Sequence, residues 1–325
     1  MDLSSTSYEL YCDIEPYLTG MLDLDGHHLM YWEVSGNPEG VPIVFLHGGP
    51  GAGASPLHRR FFNPKYYKII IFDQRGSGRS RPFADIVNNT TQHLVSDMET
   101  LRQYLGVNKW LVFGGSWGSS LALAYGIEHS ERVLGFILRG VFLCTRRELD
   151  WFLNGIKRVF PQEWQEFRGF LPDEEQDELL RSYYKRLTSP SVAVHEPAAS
   201  AWGQFEGSCS TLLPNARHRM GANSGSTMLA LARIEAHYFL NEFFLSDDYF
   251  YKYIDRIANI PAVIIQGRYD MICPIVTAYE LTNRWSGSEL VVIPDAGHSA
   301  MEPSLRSALI AATEYFKSGQ RRVSR

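Results

Sequence analysis

Ser116, Asp270 and His298 are the residues of this chain whose types, surroundings and order could together make a serine hydroxyl attack a carbonyl. Ser116 sits in Gly114-Gly115-Ser116-Trp117-Gly118. The apolar run Trp110-Leu111-Val112-Phe113 precedes it, and the small-residue stretch 119–125 follows. This is a G-x-S-x-G elbow in its required setting of buried strand, sharp turn and helix. The turn strains the backbone at the serine. Gly114 and Gly118 are therefore expected beside it, where a Cβ would crowd the turn. The hydroxyl then stands at a helix N-terminus, where the dipole favours developing negative charge. A serine also needs a base. His298 follows the apolar run 290–294, in the loop Asp295-Ala296-Gly297-His298-Ser299. Asp270 follows a second such run, 262–267. Both fall at the C-terminal ends of expected parallel strands, where open α/β sheets place ligands. Asp73 ends an apolar run too, and Asp295 is close to His298 in sequence, so both compete for the acid role. Asp270 is preferred, because an elbow serine is followed in the chain first by its acid and then by its histidine.

His47-Gly48-Gly49-Pro50-Gly51 directly follows the apolar run Ile43-Val44-Phe45-Leu46. Its glycines let backbone N–H groups approach a substrate oxygen, as in the oxyanion loop after the third strand of α/β-hydrolases. The expected donors are the N–H groups of Gly49 and Trp117, with Gly48 as the alternative to Gly49. No G-x-x-x-x-G-K-[ST] follows, which excludes a phosphate-binding loop. Gly76-Ser77-Gly78 is too short for a dinucleotide fingerprint. No set of three His or carboxylate ligands has the spacing of a catalytic zinc site, so no metal or other cofactor is expected.

These groups need a scaffold. Between residues 43 and 138 apolar strand-like runs alternate with helical stretches such as 94–105, and the pattern resumes near 260. That alternation predicts a mostly parallel α/β sheet flanked by helices, the α/β-hydrolase class. Residues 20–35 read as a hairpin turning at Asp25-Gly26. The block 145–245 is different. It is rich in aromatic and charged residues, with helical patterning over 167–186 and 227–241. It predicts a helical cap inserted into a catalytic domain made of residues 1–144 and 246–325. A final helix is expected over 304–316.

Composition narrows the function. A chain of 325 residues can bury a large core, and 21% charged residues fit a globular protein rather than a disordered one. A net charge of -5 without basic runs argues against a nucleic-acid partner. The basic tail 321–325 reads as a frayed terminus. No apolar run reaches the length of a membrane helix, and no signal peptide is visible at the N-terminus. Cys12, Cys144, Cys209 and Cys273 are scattered, and read as free thiols in a reducing cytoplasm. Composition leaves the oligomeric state open.

Taken together, the motifs resemble the proline iminopeptidase family of α/β-hydrolases. The resemblance runs through Gly36-Asn37-Pro38, His47 to Gly51, Asp73-Gln74-Arg75-Gly76-Ser77-Gly78-Arg79-Ser80, Gly114 to Ser119, Arg233-Ile234-Glu235, Gln266 to Asp270 and Pro294 to Ser299. It implies release of N-terminal proline from peptides through an acyl-enzyme. Ser116, Asp270 and His298 would be the triad, and Gly49 and Trp117 the oxyanion hole. It further implies that Glu206 and Glu235 hold the substrate's amine, and that Phe142, Phe152 and Cys273 lie near the proline ring. Four positions depart from the family pattern: Phe205, Ala236, Gln92 and Ala52. The residues alone leave an esterase or amidase with another acyl specificity as the alternative.

Overall fold

The computed structural model describes residues 7–214 and 225–318; the reading of the basic tail at 321–325 lies outside them. In chain order the described strands and helices are β1 (Leu18–Asp23), β2 (Leu29–Gly36), β3 (Val41–Leu46), β4 (Tyr67–Phe72), α1 (Thr91–Tyr104), β5 (Trp110–Gly115), α2 (Trp117–Glu128) and β6 (Val133–Arg139). Then come α3 (Arg146–Leu153), α4 (Pro161–Gly169), α5 (Leu179–Leu187), α6 (Val192–Cys209), α7 (Gly225–Leu240) and α8 (Tyr249–Tyr253). The chain closes with β7 (Ala262–Gly267), α9 (Ile275–Thr282), β8 (Ser288–Ile293) and α10 (Pro303–Lys317).

The strands form one sheet in the order β1-β2-β4-β3-β5-β6-β7-β8. β1 and β2 form the hairpin, and β2 also runs antiparallel to β4. All pairings from β4 to β8 are parallel. Alternation of side chains along a strand makes two cores. Ile43, Phe45, Ile69, Ile71, Leu111 and Phe113 face one layer with Leu305 and Leu309 of α10. Val44, Leu46, Ile70, Phe72 and Val112 face the other, which includes the buried α2. From β3 the chain crosses to β4 on one side, and β5 lies on the other side. Crevices at the carboxyl ends of strands form where the order reverses in this way. The loops leaving β3 and β5 carry His47-Gly48-Gly49 and Ser116.

Between β6 and β7 every described regular element is helical. The excursion starts with a reciprocal capping box. Thr145 Oγ1 accepts from Glu148 N–H, while the Glu148 carboxylate accepts from Thr145 N–H. Helices α5, α6 and α7 pack on one another. Buried Trp202 of α6 meets the rings of Phe152, Phe167, Tyr183 and Phe239 with centroids 5.5–6.2 Å apart. The expected helix over 167–186 is in fact two. α4 ends at Gly169, Pro172 follows, and a short 3-10 turn precedes α5. Proline lacks an N–H and disfavours helical backbone in the residue before it, which breaks the segment at Leu171.

Candidate active site

The turn after β5 holds Ser116 at φ 57° and ψ −129°, a left-handed conformation that costs a non-glycine residue about 1–3 kcal/mol. Close packing enforces it. A Cβ on Gly114 would stand 2.2 Å from the Gly118 carbonyl oxygen, and one on Gly118 would stand 2.3 Å from that of Leu46. Ser116 N–H donates to the Arg139 carbonyl at 2.9 Å, which ties the elbow to the end of β6.

His298 arrives on the loop after β8, and Asp270 on the loop after β7. Nδ1 of His298 lies 2.8 Å from Asp270 Oδ2 and 3.0 Å from Oδ1. The carboxylate also accepts from the backbone N–H groups of Ile272 and Cys273 and from Gln266 Nε2. The two competing aspartates have other work. Asp73 accepts from Ala54 N–H and from Arg79, and Asp295 accepts from Ser304 Oγ. His298 Nε2 lies 2.9 Å from a guanidinium nitrogen of Arg139. A guanidinium only donates, so this contact requires a lone pair on Nε2 and leaves the ring proton on Nδ1, facing Asp270. Burial lowers the pKa of His298, Asp270 raises it, and the Arg139 charge lowers it again. The net direction is downward, toward a neutral imidazole. Burial pushes the pKa of the Cys273 thiol well up, and the nearby Ser116 hydroxyl lowers it a little. No hydrogen bond joins Ser116 Oγ to His298 Nε2 in this structure, where the Nε2 lone pair faces Arg139.

Residues that sequence reasoning missed hold these groups in place. Arg139 carried a signal, being a cation at the end of an apolar strand. Gln74 bridges the two glycine-bearing loops. Its backbone N–H and side-chain amide donate to His47 Nε2 and the His47 carbonyl, and its Oε1 accepts from Trp117 Nε1. The Trp117 ring is fully buried against Tyr238 and Phe243, so no part of the ring faces the cavity of Ser116.

Ser116, His298, Gly48, Gly49 and Glu206 line one cavity of about 930 Å³. Glu206 comes from α6, and its Oε2 is buried with no hydrogen-bond partner among the described residues. Glu235 comes from α7, is buried, and accepts from Trp202 Nε1 at 2.6 Å. Burial raises the pKa of both carboxyls, and the charge of Glu206 raises that of Glu235 further. Both therefore hold protons more tightly than surface carboxylates do. Neither Glu235 nor the other expected pocket residues line this cavity. Phe152 is packed among the cap aromatics, Phe142 is half-buried with its ring edge toward Phe243, and Cys273 sits beside Asp270 and Ser116. Phe205 stacks on Phe167 at 4.4 Å, inside the cap. Among the described residues no helix is long and apolar enough to cross a membrane.

Residues 41–304 match the alpha/beta hydrolase fold family. The chain is 48% identical over 310 residues to a probable proline iminopeptidase of Leptolyngbya boryana, covering 95% of this chain and 97% of that one. It is 47% identical to the proline iminopeptidase of Arabidopsis thaliana, covering 95% of this chain and 82% of the relative. Against the one from Neisseria gonorrhoeae the identity is 45%, covering 92% and 96%. Among solved structures, the proline iminopeptidase of Mycobacterium smegmatis superposes with a TM-score of 0.60 at 18% identity, covering 93% of this chain and 98% of that one. At that identity the match speaks for the fold alone.

Proposed function

The chain belongs to the proline iminopeptidase family of α/β-hydrolases, and on that premise we propose how its residues carry out the reaction. It is a serine aminopeptidase that releases N-terminal proline from peptides. Ser116 attacks the prolyl carbonyl. His298 takes its proton at Nε2 and returns it to the leaving amine, while Asp270 orients the ring and stabilises its charged form. For that step Nε2 exchanges its contact with Arg139 for the Ser116 hydroxyl. The N–H groups of Gly49 and Trp117 receive the oxyanion, and each such donor contributes about 3–4 kcal/mol to transition-state stabilisation. Residues 145–245 act as a cap over a catalytic domain of 1–144 and 246–325. The four unpaired cysteines fit a cytoplasmic enzyme.

The observation that carries the substrate assignment is Glu206. Its unpartnered, buried Oε2 belongs to a residue lining the same cavity as Ser116. A buried carboxylate oxygen without a donor is costly, and a charged amine would satisfy it. Proline's secondary ammonium carries two N–H donors, one for Glu206 and one for Glu235. A proline inside a chain has no N–H at all, so the same pair rejects internal positions. An esterase of neutral substrates has no use for two buried carboxylates, which disfavours the alternative.

The test compares free and N-acetylated prolyl-arylamides, with alanyl-arylamide and simple esters alongside. Free prolyl substrate should be cleaved best, and the acetylated one should be nearly inert. Equal rates for the two would refute amine recognition.

A further inference from the structure

We propose that His27, His28 and Asp85 form a binding site for a divalent transition-metal cation, with Zn²⁺ as its representative, outside the catalytic cavity. His27 and His28 stand in the turn of the β1–β2 hairpin, and Asp85 in the loop between β4 and α1. One ring nitrogen of each histidine and one carboxylate oxygen all lie within 4.8 Å of one another. Among the described residues this is the one such group of three. His27 Nε2 and Asp85 Oδ2 are 3.0 Å apart. Ligands bound to zinc at about 2.0–2.2 Å in tetrahedral arrangement lie roughly 3.3–3.6 Å from each other, so around an ion this pair opens by a few tenths of an ångström and the wider separations close by about an ångström.

A surface His–Asp ion pair would explain His27 and Asp85 alone. His28 is the second, independent observation. It is 1% exposed, and its Nδ1 is buried with no hydrogen-bond partner among the described residues. Its Nε2 lies 2.7 Å from the Val87 carbonyl oxygen. A carbonyl can only accept, so Nε2 carries the proton and the open lone pair is on Nδ1. A ring that donates one N–H to a carbonyl and offers the other nitrogen is the usual state of a metal-bound histidine.

The loops are built to hold this arrangement. Asp25 Oδ1 accepts from the backbone N–H groups of both His27 and His28, while its Oδ2 pairs with Arg75. Asp85 spends Oδ1 on Val87 N–H, which leaves Oδ2 for His27. Two imidazoles and a carboxylate suit zinc, nickel or copper rather than calcium or magnesium. His27 is the exposed member, which gives the ion a route in and leaves a position for water. None of the three residues lines the cavity of Ser116, so hydrolysis does not depend on the ion. Its effect would be to pin the hairpin to the loop before α1.

Calorimetric titration of the untagged, chelator-treated full chain with zinc chloride tests this. One equivalent of Zn²⁺ should bind and raise the melting temperature. His27→Ala, His28→Gln and Asp85→Asn should each weaken binding tenfold or more and abolish the shift. His27→Ala changes an exposed side chain, so it keeps the test valid even if His28→Gln folds poorly. No saturable binding at millimolar zinc would overturn the proposal. So would full-affinity binding in His27→Ala and Asp85→Asn, which would put the ion at other histidines.

Discussion

Ser116, Asp270 and His298 stand on loops that leave sheet strands, whereas Glu206 and Glu235 come from helices α6 and α7. The two ends also differ in how their charges are met. Asp270 already has donors from Ile272, Cys273, Gln266 and His298. Glu206 has a buried oxygen with no partner, and Glu235 has Trp202. The sheet end holds its acid and base as a pair before anything binds. The cap end is electrostatically incomplete, and in the function proposed above the substrate's ammonium completes it. Chemistry and selectivity are thus separable, and single substitutions should damage one without the other.

The largest loss is expected at the sheet end. Ser116→Ala should lower kcat by about four to six orders of magnitude on every substrate, esters included. Its circular dichroism and melting temperature should stay near those of the unmodified chain, because the smaller side chain relieves no packing and removes no buried charge. Asp270→Asn should be severely impaired as well. Asp73→Asn and Asp295→Asn should retain the triad chemistry, since their carboxylates hold Arg79 and Ser304. Undiminished turnover in Ser116→Ala would put the nucleophile elsewhere.

At the cap end the loss should be smaller and selective. Truncating one partner of a desolvated charged contact often costs about 2–5 kcal/mol. Glu206→Gln and Glu235→Gln should therefore each cut kcat/KM for prolyl-arylamide by roughly 30- to several-thousand-fold. Hydrolysis of an uncharged ester should fall far less. A uniform loss on both substrates would mean that the glutamates support the fold rather than the amine. The pH dependence sharpens the point. Both carboxyls have raised pKa values and must be ionised to hold an ammonium. KM for the prolyl substrate should rise on the acid side well before ordinary carboxylates protonate. KM for the ester should not follow it.

This contrast explains what was legible in the sequence. The elbow, the HGGPG loop and the loops of Asp270 and His298 were readable because a strained turn or a close backbone approach tolerates few residue types. Gly114 and Gly118 are there because nothing larger fits. Strands β3 to β7 were readable from apolar runs buried on both faces. A glutamate on a helix carries no such mark, so Glu206 and Glu235 came only with the family resemblance. The break at Pro172 was legible in principle, but the helical periodicity on either side outweighed it. The cavity wall was not legible at all. Whether Phe142 or Phe152 reaches the substrate depends on how the cap aromatics stack, and that is set by contacts distant in sequence. Arg139 carries only a weak mark, a cation closing an apolar run, because its contact with His298 joins residues distant in sequence.

Arg139 is also where the contrast between the two ends is tested most finely. Its guanidinium lies 2.9 Å from His298 Nε2, and its charge is one of the causes that lower the histidine's pKa, after burial. His298 acts as a base only when neutral, so a lowered pKa extends activity to lower pH. In Arg139→Met the repelling cation is gone, while the burial and the Asp270 partner remain. The pKa of His298 should then rise, and the acid limb of kcat/KM should move to higher pH. Burial comes first among the causes that lower the pKa, so the limb should shift without the profile losing its shape. An ester substrate is the right probe, because the protonation of Glu206 and Glu235 then drops out of the profile. The shift should appear equally in Glu206→Gln, since the two ends act independently. If the acid limb stays in place in Arg139→Met, the cation does not set the base's pKa. If the limb moves only when the glutamates are intact, the two ends are coupled and the separation argued above fails.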